Sequence, residues 1–344
     1  MQQHKLTYMT KNKEFKMRQQ NIIQCGGRDG LHKSFDLFQL PVHWFGFDAD
    51  PSADMSDIET ITHNQFVDKT VIYTGVSNKK GTSKFFIYNH SDLSSLLKLN
   101  TKATLRYQDI TINKTINIET DTLNNLFGTD QRNTIIDYLI IDVQGATYEV
   151  LEGSSNLLSN IKAIRCEVEL VELYENQKLF GAVSELLKNN FLLARIETCG
   201  SGDIGFSTDM NQYSVSIEDS IPIYGDCIFI NKKYLDFSIE EQIYLIIYTL
   251  YNGCGYIGAT ILEHIYNTNN MTLLENTLPL QSQQFFYSSI ASYFNLERIS
   301  PKNFERSSFD GIAIFQQFFG KDLNVYTSNK AINTKLQSIY NMPQ

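Results

Sequence analysis

The stretch from Ile135 to Leu170, IIDYLIIDVQGATYEVLEGSSNLLSNIKAIRCEVEL, constrains the rest of the chain because it reads as strand, turn, helix and strand. Ile136 to Ile141, apart from Asp137, is a short apolar run of the kind that a strand covered on both faces requires. Asp142 breaks that run at its carboxyl end, and Gly145 permits a tight exit from the sheet. Ala146, Val150, Leu151, Leu157 and Leu158 then fall on one helical stripe. Ile161 to Val168 is a second strand, and it too ends in acid, at Glu167 and Glu169. Ligands of open α/β sheets sit outside the carboxyl ends of the strands. Two consecutive strands that end in carboxylates therefore point to one site.

The amino-terminal third repeats the pattern. Asn21 to Cys25 is a strand, Gly26-Gly27-Arg28-Asp29-Gly30 a turn, and Leu31 to Leu40 a helix that stops at Pro41. Such a turn lets a ligand approach the backbone and meet the start of a helix. His43 to Phe47 is the second strand and ends in Asp48-Ala49-Asp50-Pro51. An acid roughly twenty residues past the glycine turn holds ribose hydroxyls in nucleotide folds. Asp48 takes that role, and Asp50 caps the chain before Pro51. Spacing alone fits a dinucleotide and S-adenosylmethionine equally. GGRDG lacks the GxGxxG cradle of a pyrophosphate, and its acid would repel one while it could receive an ammonium. A GxGxxG does occur at Gly253 to Gly258, but it follows a helical stripe and reads as a helix–helix corner. Thr70 to Ser77 is the third strand, and after a turn at Asn78 to Gly81, Ser83 to Tyr88 returns as the second arm of a hairpin.

The segment IDVQGATYEVLEG resembles the core motif of the FkbM-type methyltransferases, with Gln144 where that family usually has an acid. Ser94-Ser95-Leu96, in the loop that starts at Asn89, resembles the family's small-residue segment near the active site. Asp121-Thr122-Leu123 resembles its short-helix opening, and Asp226 to Ile230 falls where its last, antiparallel strand would lie. The resemblance covers about residues 20 to 232. It implies an α/β, Rossmann-like, mostly parallel sheet with a late antiparallel strand, and S-adenosylmethionine-dependent O-methylation of a hydroxyl on a small molecule, sugar or glycan. Gly26, Gly27, Asp29 and Gly30 would then line the methionine end of the cofactor, Asp48 and Ala49 the ribose, and Val76 and Ser77 the adenine. Asp142 ranks first as the base that takes the acceptor's proton, ahead of Glu167 and His90. A magnesium ion on Asp142 and Glu167 could do the same work, but no third ligand is evident. The alternative function is an inactive methyltransferase fold that scaffolds a partner, and Gln144 is the feature that keeps it open.

With 344 residues the chain suits one large domain and a smaller one. The expected division is an arm over 1–19, read as loose or a short helix, a methyltransferase domain over 20–232, and a helical domain over 233–344. The last part opens on a capping box, Ser238 to Glu241, followed by the stripe Ile243, Ile246, Ile247, Leu250 and Tyr251, and has further helices at 256–267, 281–294 and 310–319. It would pack on the sheet, with a homo-oligomer left open. A net charge of −9 argues against nucleic acid or an anionic membrane as the main partner. No apolar run is long enough to span a bilayer. Five cysteines without a CxxC pair fit a reducing, cytoplasmic setting.

Overall fold

The computed structural model describes residues 6–10, 13–28, 30–32, 35, 40–53, 67–103, 109–128, 134–202, 221–278, 280–299, 319, 321, 326 and 330–340. Strands β1 (Leu6–Thr10) and β2 (Lys13–Met17) form an antiparallel pair, where the sequence suggested a loose arm or a helix. The strands of the main sheet follow as β3 (Gln20–Cys25), β4 (Val42–Asp48) and β5 (Val67–Tyr73). Next come β6 (Gly75–Val76), β7 (Gly81–Tyr88) and β8 (Ile112–Asp121), which make a separate three-stranded sheet in the order β6-β8-β7. The expected hairpin between the third strand and Ser83–Tyr88 does not form. β7 instead pairs antiparallel with β8, and β6 runs parallel to β8.

Helix α1 (Leu123–Phe127) starts at Thr122, whose side chain accepts the Asn125 N–H. Then come β9 (Tyr138–Ile141), α2 (Thr147–Glu152), β10 (Ala163–Glu169), α3 (Phe180–Leu187), β11 (Phe191–Gly202) and β12 (Ile221–Asn231). The seven-stranded sheet has the order β11-β12-β10-β9-β3-β4-β5. Its pairs are parallel from β10 to β5, and only β12 runs antiparallel to its neighbours. β3, β4 and β9 end side by side, with Cys25 opposite Phe47 and Ile141, so that Asp48 and Asp142 follow at the same edge.

Successive residues of a strand face opposite sides, and this sheet is covered on both. Ile23, Phe45, Leu139 and Ile141 join the core under α1, α2 and α3. Ile22, Trp44, Tyr138 and Ile140 face the other way, into a core shared with the carboxyl-terminal helices. Those helices are α4 (Ile239–Tyr251), α5 (Gly255–Asn267), α6 (Met271–Thr277), α7 (Leu280–Ile299) and α8 (Lys330–Tyr340). The capping box at Ser238 and Glu241 is present, and Gly255 to Gly258 opens α5 as a corner between helices. The expected boundary at 232/233 falls between β12 and α4, and one apolar cluster crosses it. Most of Leu31–Leu40, residues 203–220 and residues 310–318 lie outside the described residues. Among the described residues no helix is long and apolar enough to cross a membrane.

Candidate active site

The carboxyl ends of β3, β4 and β9 converge on a cleft of about 870 Å³, open to solvent. Gly26 leaves β3 with φ +82°, and a Cβ built on it would stand 1.7 Å from the carbonyl oxygen of Asp142. Only glycine allows the two strand ends to come this close. The N–H groups of Gly26 and Gly27 both donate to the Phe47 carbonyl, at 2.9 and 2.8 Å, which ties the turn to β4.

Asp48 is 7 % exposed and lines the cleft together with Ala49 and Val76. Its Oδ1 accepts the Asp50 N–H at 2.8 Å. Arg28 spans the two acids, 3.9 Å from Asp48 and 3.1 Å from Asp50. Burial pushes the Asp48 carboxyl up, while the Asp50 N–H and the Arg28 charge pull against it. Asp50 also accepts from the N–H and hydroxyl of Ser52, and the helix it was expected to cap is not among the described residues. Arg28 was not singled out in the sequence, although its place in the glycine turn was a signal.

The second half of the site is built on Gln144. It has φ +55°, unusual for a residue with a side chain, and is followed by Gly145 at φ +88°. A Cβ on Gly145 would meet the Tyr174 ring at 2.5 Å, so this turn also depends on glycine. Ser95 Oγ donates to the Gln144 carbonyl at 2.6 Å, and Tyr174 OH donates to its Oε1 at 3.1 Å. With its acceptors so held, Gln144 Nε2 donates to Asp142 Oδ1 at 2.7 Å and to Glu167 Oε1 at 3.2 Å. One amide thus bridges the two acids first picked from the sequence.

The acids differ in solvation. Asp142 is exposed at the cleft. Glu167 is partly buried, and burial followed by the charges of Asp142, Glu169 and Asp226 drives its carboxyl well above the ordinary range; the Gln144 amide works against this. Glu169 is 2 % exposed and pushed up to about 7, mainly by burial. Glu167 and Glu169 therefore favour the protonated form, and Asp142 is the acid that reaches solvent.

His90 is exposed and precedes the single turn Ser91–Leu93; Ser91 and Asp92, rather than His90, line the cleft. Gly27 and Gly30 are buried behind the turn. Ser77 is buried and lines a neighbouring cavity. Asp29 lies outside the described residues. Among the described residues no group of three or more His, Cys, Asp or Glu is arranged to hold a metal ion. The sequence places Ser95 in a segment near the site but does not show its bond to Gln144, and Tyr174 is not legible in it, because these contacts come from residues 30 to 49 positions apart.

Residues 24–193 match the methyltransferase FkbM domain. The chain is 26 % identical over 191 residues to the 2-O-methyltransferase NoeI of Sinorhizobium fredii (strain NBRC 101917 / NGR234), a match that covers 53 % of this chain and 77 % of that protein. Among solved structures, a chain from the complex of the Haloferax volcanii Trm112 methyltransferase activator aligns over 62 % of this chain and 84 % of its own length, at 9 % identity and a TM-score of 0.28.

Proposed function

Residues 24–193 belong to the FkbM methyltransferase family, and from that premise we propose that the protein is an S-adenosylmethionine-dependent O-methyltransferase acting on a sugar-like hydroxyl. The observation that carries the reading is the convergence of Gly26, Asp48 and Asp142 on one cleft, with the Gly26 backbone against the Asp142 carbonyl. The residues fit the cofactor. Gly26 brings bare backbone to the lining of the cleft, and the buried Asp48 stands at the cleft where ribose hydroxyls can donate to it. The cofactor supplies a methyl group already activated on a sulfonium sulfur.

What remains for the chain is to align the acceptor oxygen and manage its proton. Asp142 is the acid to take that proton, because it is exposed at the cleft while burial and like charge favour the protonated form of Glu167. Gln144 orients both carboxylates through its one amide. The name of the rhizobial relative, a 2-O-methyltransferase, supports an oxygen acceptor.

The test is incubation with methyl-labelled S-adenosylmethionine and a panel of mono- and oligosaccharides, scored for label on oxygen. General-base catalysis contributes roughly 10² to 10⁴ in rate, so Asp142→Asn should lose at least about a hundredfold in turnover. Near-normal turnover in that variant would remove Asp142 as the base.

A further inference from the structure

A second cavity adjoins the cleft, and Leu96 lines both. Its walls come from the turn after β6, from β7 and from the start of α2. β7 divides the two spaces, since Phe85 lines the cleft and Phe86 the second cavity.

Among the described residues, three polar groups in this wall have no hydrogen-bond or ion-pair partner. Glu149 Oε2 is buried and has no hydrogen-bond partner, and a buried acceptor is normally satisfied by protein, water or ligand. Lys79 and Lys84 are exposed and make no ion pair among the described residues. Asn78 has its own partner, Glu152, at 2.7 Å. Ser77 and Ser83 add hydroxyls, and Phe86 adds a partly buried aromatic ring. A carboxylate oxygen and hydroxyls suit a polyol, the aromatic ring suits the apolar face of a sugar ring, and two ammonium groups suit an anion.

We propose that this cavity is a second acceptor subsite that takes an anionic saccharide unit while the reacting hydroxyl lies across Leu96 at Asp142, an inference that rests on the methyl-transfer reading of the cleft. Glu149 accepts from the sugar hydroxyls, and Lys79 and Lys84 hold the anionic group. The anion is a carboxylate or a phosphate ester, which present the same acceptor oxygens to the two lysines.

The test titrates the full chain, without cofactor, with glucose 1-phosphate, glucuronate, glucose and inorganic phosphate. Glucose 1-phosphate, glucuronate or both should bind more tightly than glucose or phosphate, and whichever binds names the anion. In the double variant Lys79→Ala/Lys84→Ala the binding of that ligand should fall at least tenfold. Glu149→Gln should weaken the sugar ligands and leave inorganic phosphate unchanged. The subsite is overturned if neither anionic sugar binds, if the double variant binds as the wild type does, or if phosphate alone matches glucose 1-phosphate. S-adenosylhomocysteine titrated into the same proteins keeps the two ideas separable. Its binding should be equal in wild type and double variant. If it binds neither while the sugar results hold, the methyl-transfer reading fails and the saccharide site stands.

Discussion

Strands β9 and β10 carry charged residues at both ends, and the two ends are built in opposite ways. At the amino ends Lys162 pairs with Asp137 at 2.5 Å and with Glu241 at 2.9 Å. Arg18 joins Asp137 at 2.6 Å, and Asp137 also accepts the Asn21 N–H at 2.7 Å. Asp137 and Lys162 are both almost fully buried. Opposite charges and hydrogen bonds there clamp the chain before β3 and the first turn of α4 to the sheet. At the carboxyl ends the acids are gathered with one another. Glu167 has Asp142, Glu169 and Asp226 as charged neighbours, and among the described residues neither Glu167 nor Glu169 has an ion-pair partner. A cluster of like charge opposes folding, and such clusters collect where a site needs shifted proton affinities. The difference separates the end that holds the fold from the end that carries the proposed site. Removing charge should therefore hurt at one end and help at the other.

The largest effect is expected at the clamp. Asp137→Ala leaves Lys162 and Arg18 facing a site that has lost its carboxylate. Breaking a buried pair on one side costs about 3–5 kcal/mol, to be read from urea unfolding. A loss below about 1 kcal/mol would mean that the clamp is not a clamp.

The next effect has the opposite sign and depends on pH. The folded Glu169 carboxyl titrates at about 7, against 4.5 for the ordinary side chain. Between those values the folded chain binds a proton that the unfolded chain has released. Its contribution to stability is thus fully present below about pH 4.5 and lost as pH rises through 7, a change on the order of 3 kcal/mol. Glu169→Gln should make the decline shallower and leave the variant more stable than the wild type at pH 8, with little difference at pH 4.5. Unfolding curves at the two pH values decide it, and equal slopes would show that Glu169 is not strained by its charge.

A smaller effect is expected at the bridge between the acids. Gln144→Glu replaces the amide that donates to Asp142 and Glu167 with a further acid. The lost hydrogen bonds and added like charge should lower stability by about 1–2 kcal/mol at pH 8. The deficit should shrink at pH 5, where the Glu167 carboxyl, held well above the ordinary range, takes up its proton. A variant as stable as the wild type at both pH values would count against the bridge.

The sheet was legible in the sequence because its central strands are continuous apolar runs that stop at acids, as at Ile141-Asp142 and Phe47-Asp48. The same rule brought Asp48, Asp142 and Glu167 forward before any contact was known. Pairing was less legible. Ser83–Tyr88 looked like the partner of the strand before it, but β8, far along the chain, supplies the neighbour; a strand's own pattern does not name its partner. The helix after β9 reads as one stripe from Ala146 to Leu158, yet α2 ends at Glu152, because Gly153 packs against the Ser77 carbonyl and turns take over. Residues 6–17 carry no periodic signal over their length, and the antiparallel pairing of β1 with β2 is a property of the fold alone. Tyr174 reaches Gln144 from a distant part of the chain, so nothing local marks it, and the segment that marks Ser95 does not name Gln144 as its partner.

The central claim is that the carboxyl-end cleft holds S-adenosylmethionine through Asp48, and the most direct measurement is a calorimetric titration of S-adenosylhomocysteine, with NAD as the control. The wild type should bind S-adenosylhomocysteine and not NAD. Hydrogen bonds to a charged group contribute about 1.5–3 kcal/mol, so Asp48→Ala should bind at least about tenfold more weakly. Binding of NAD without S-adenosylhomocysteine, or unchanged affinity in Asp48→Ala, would contradict it.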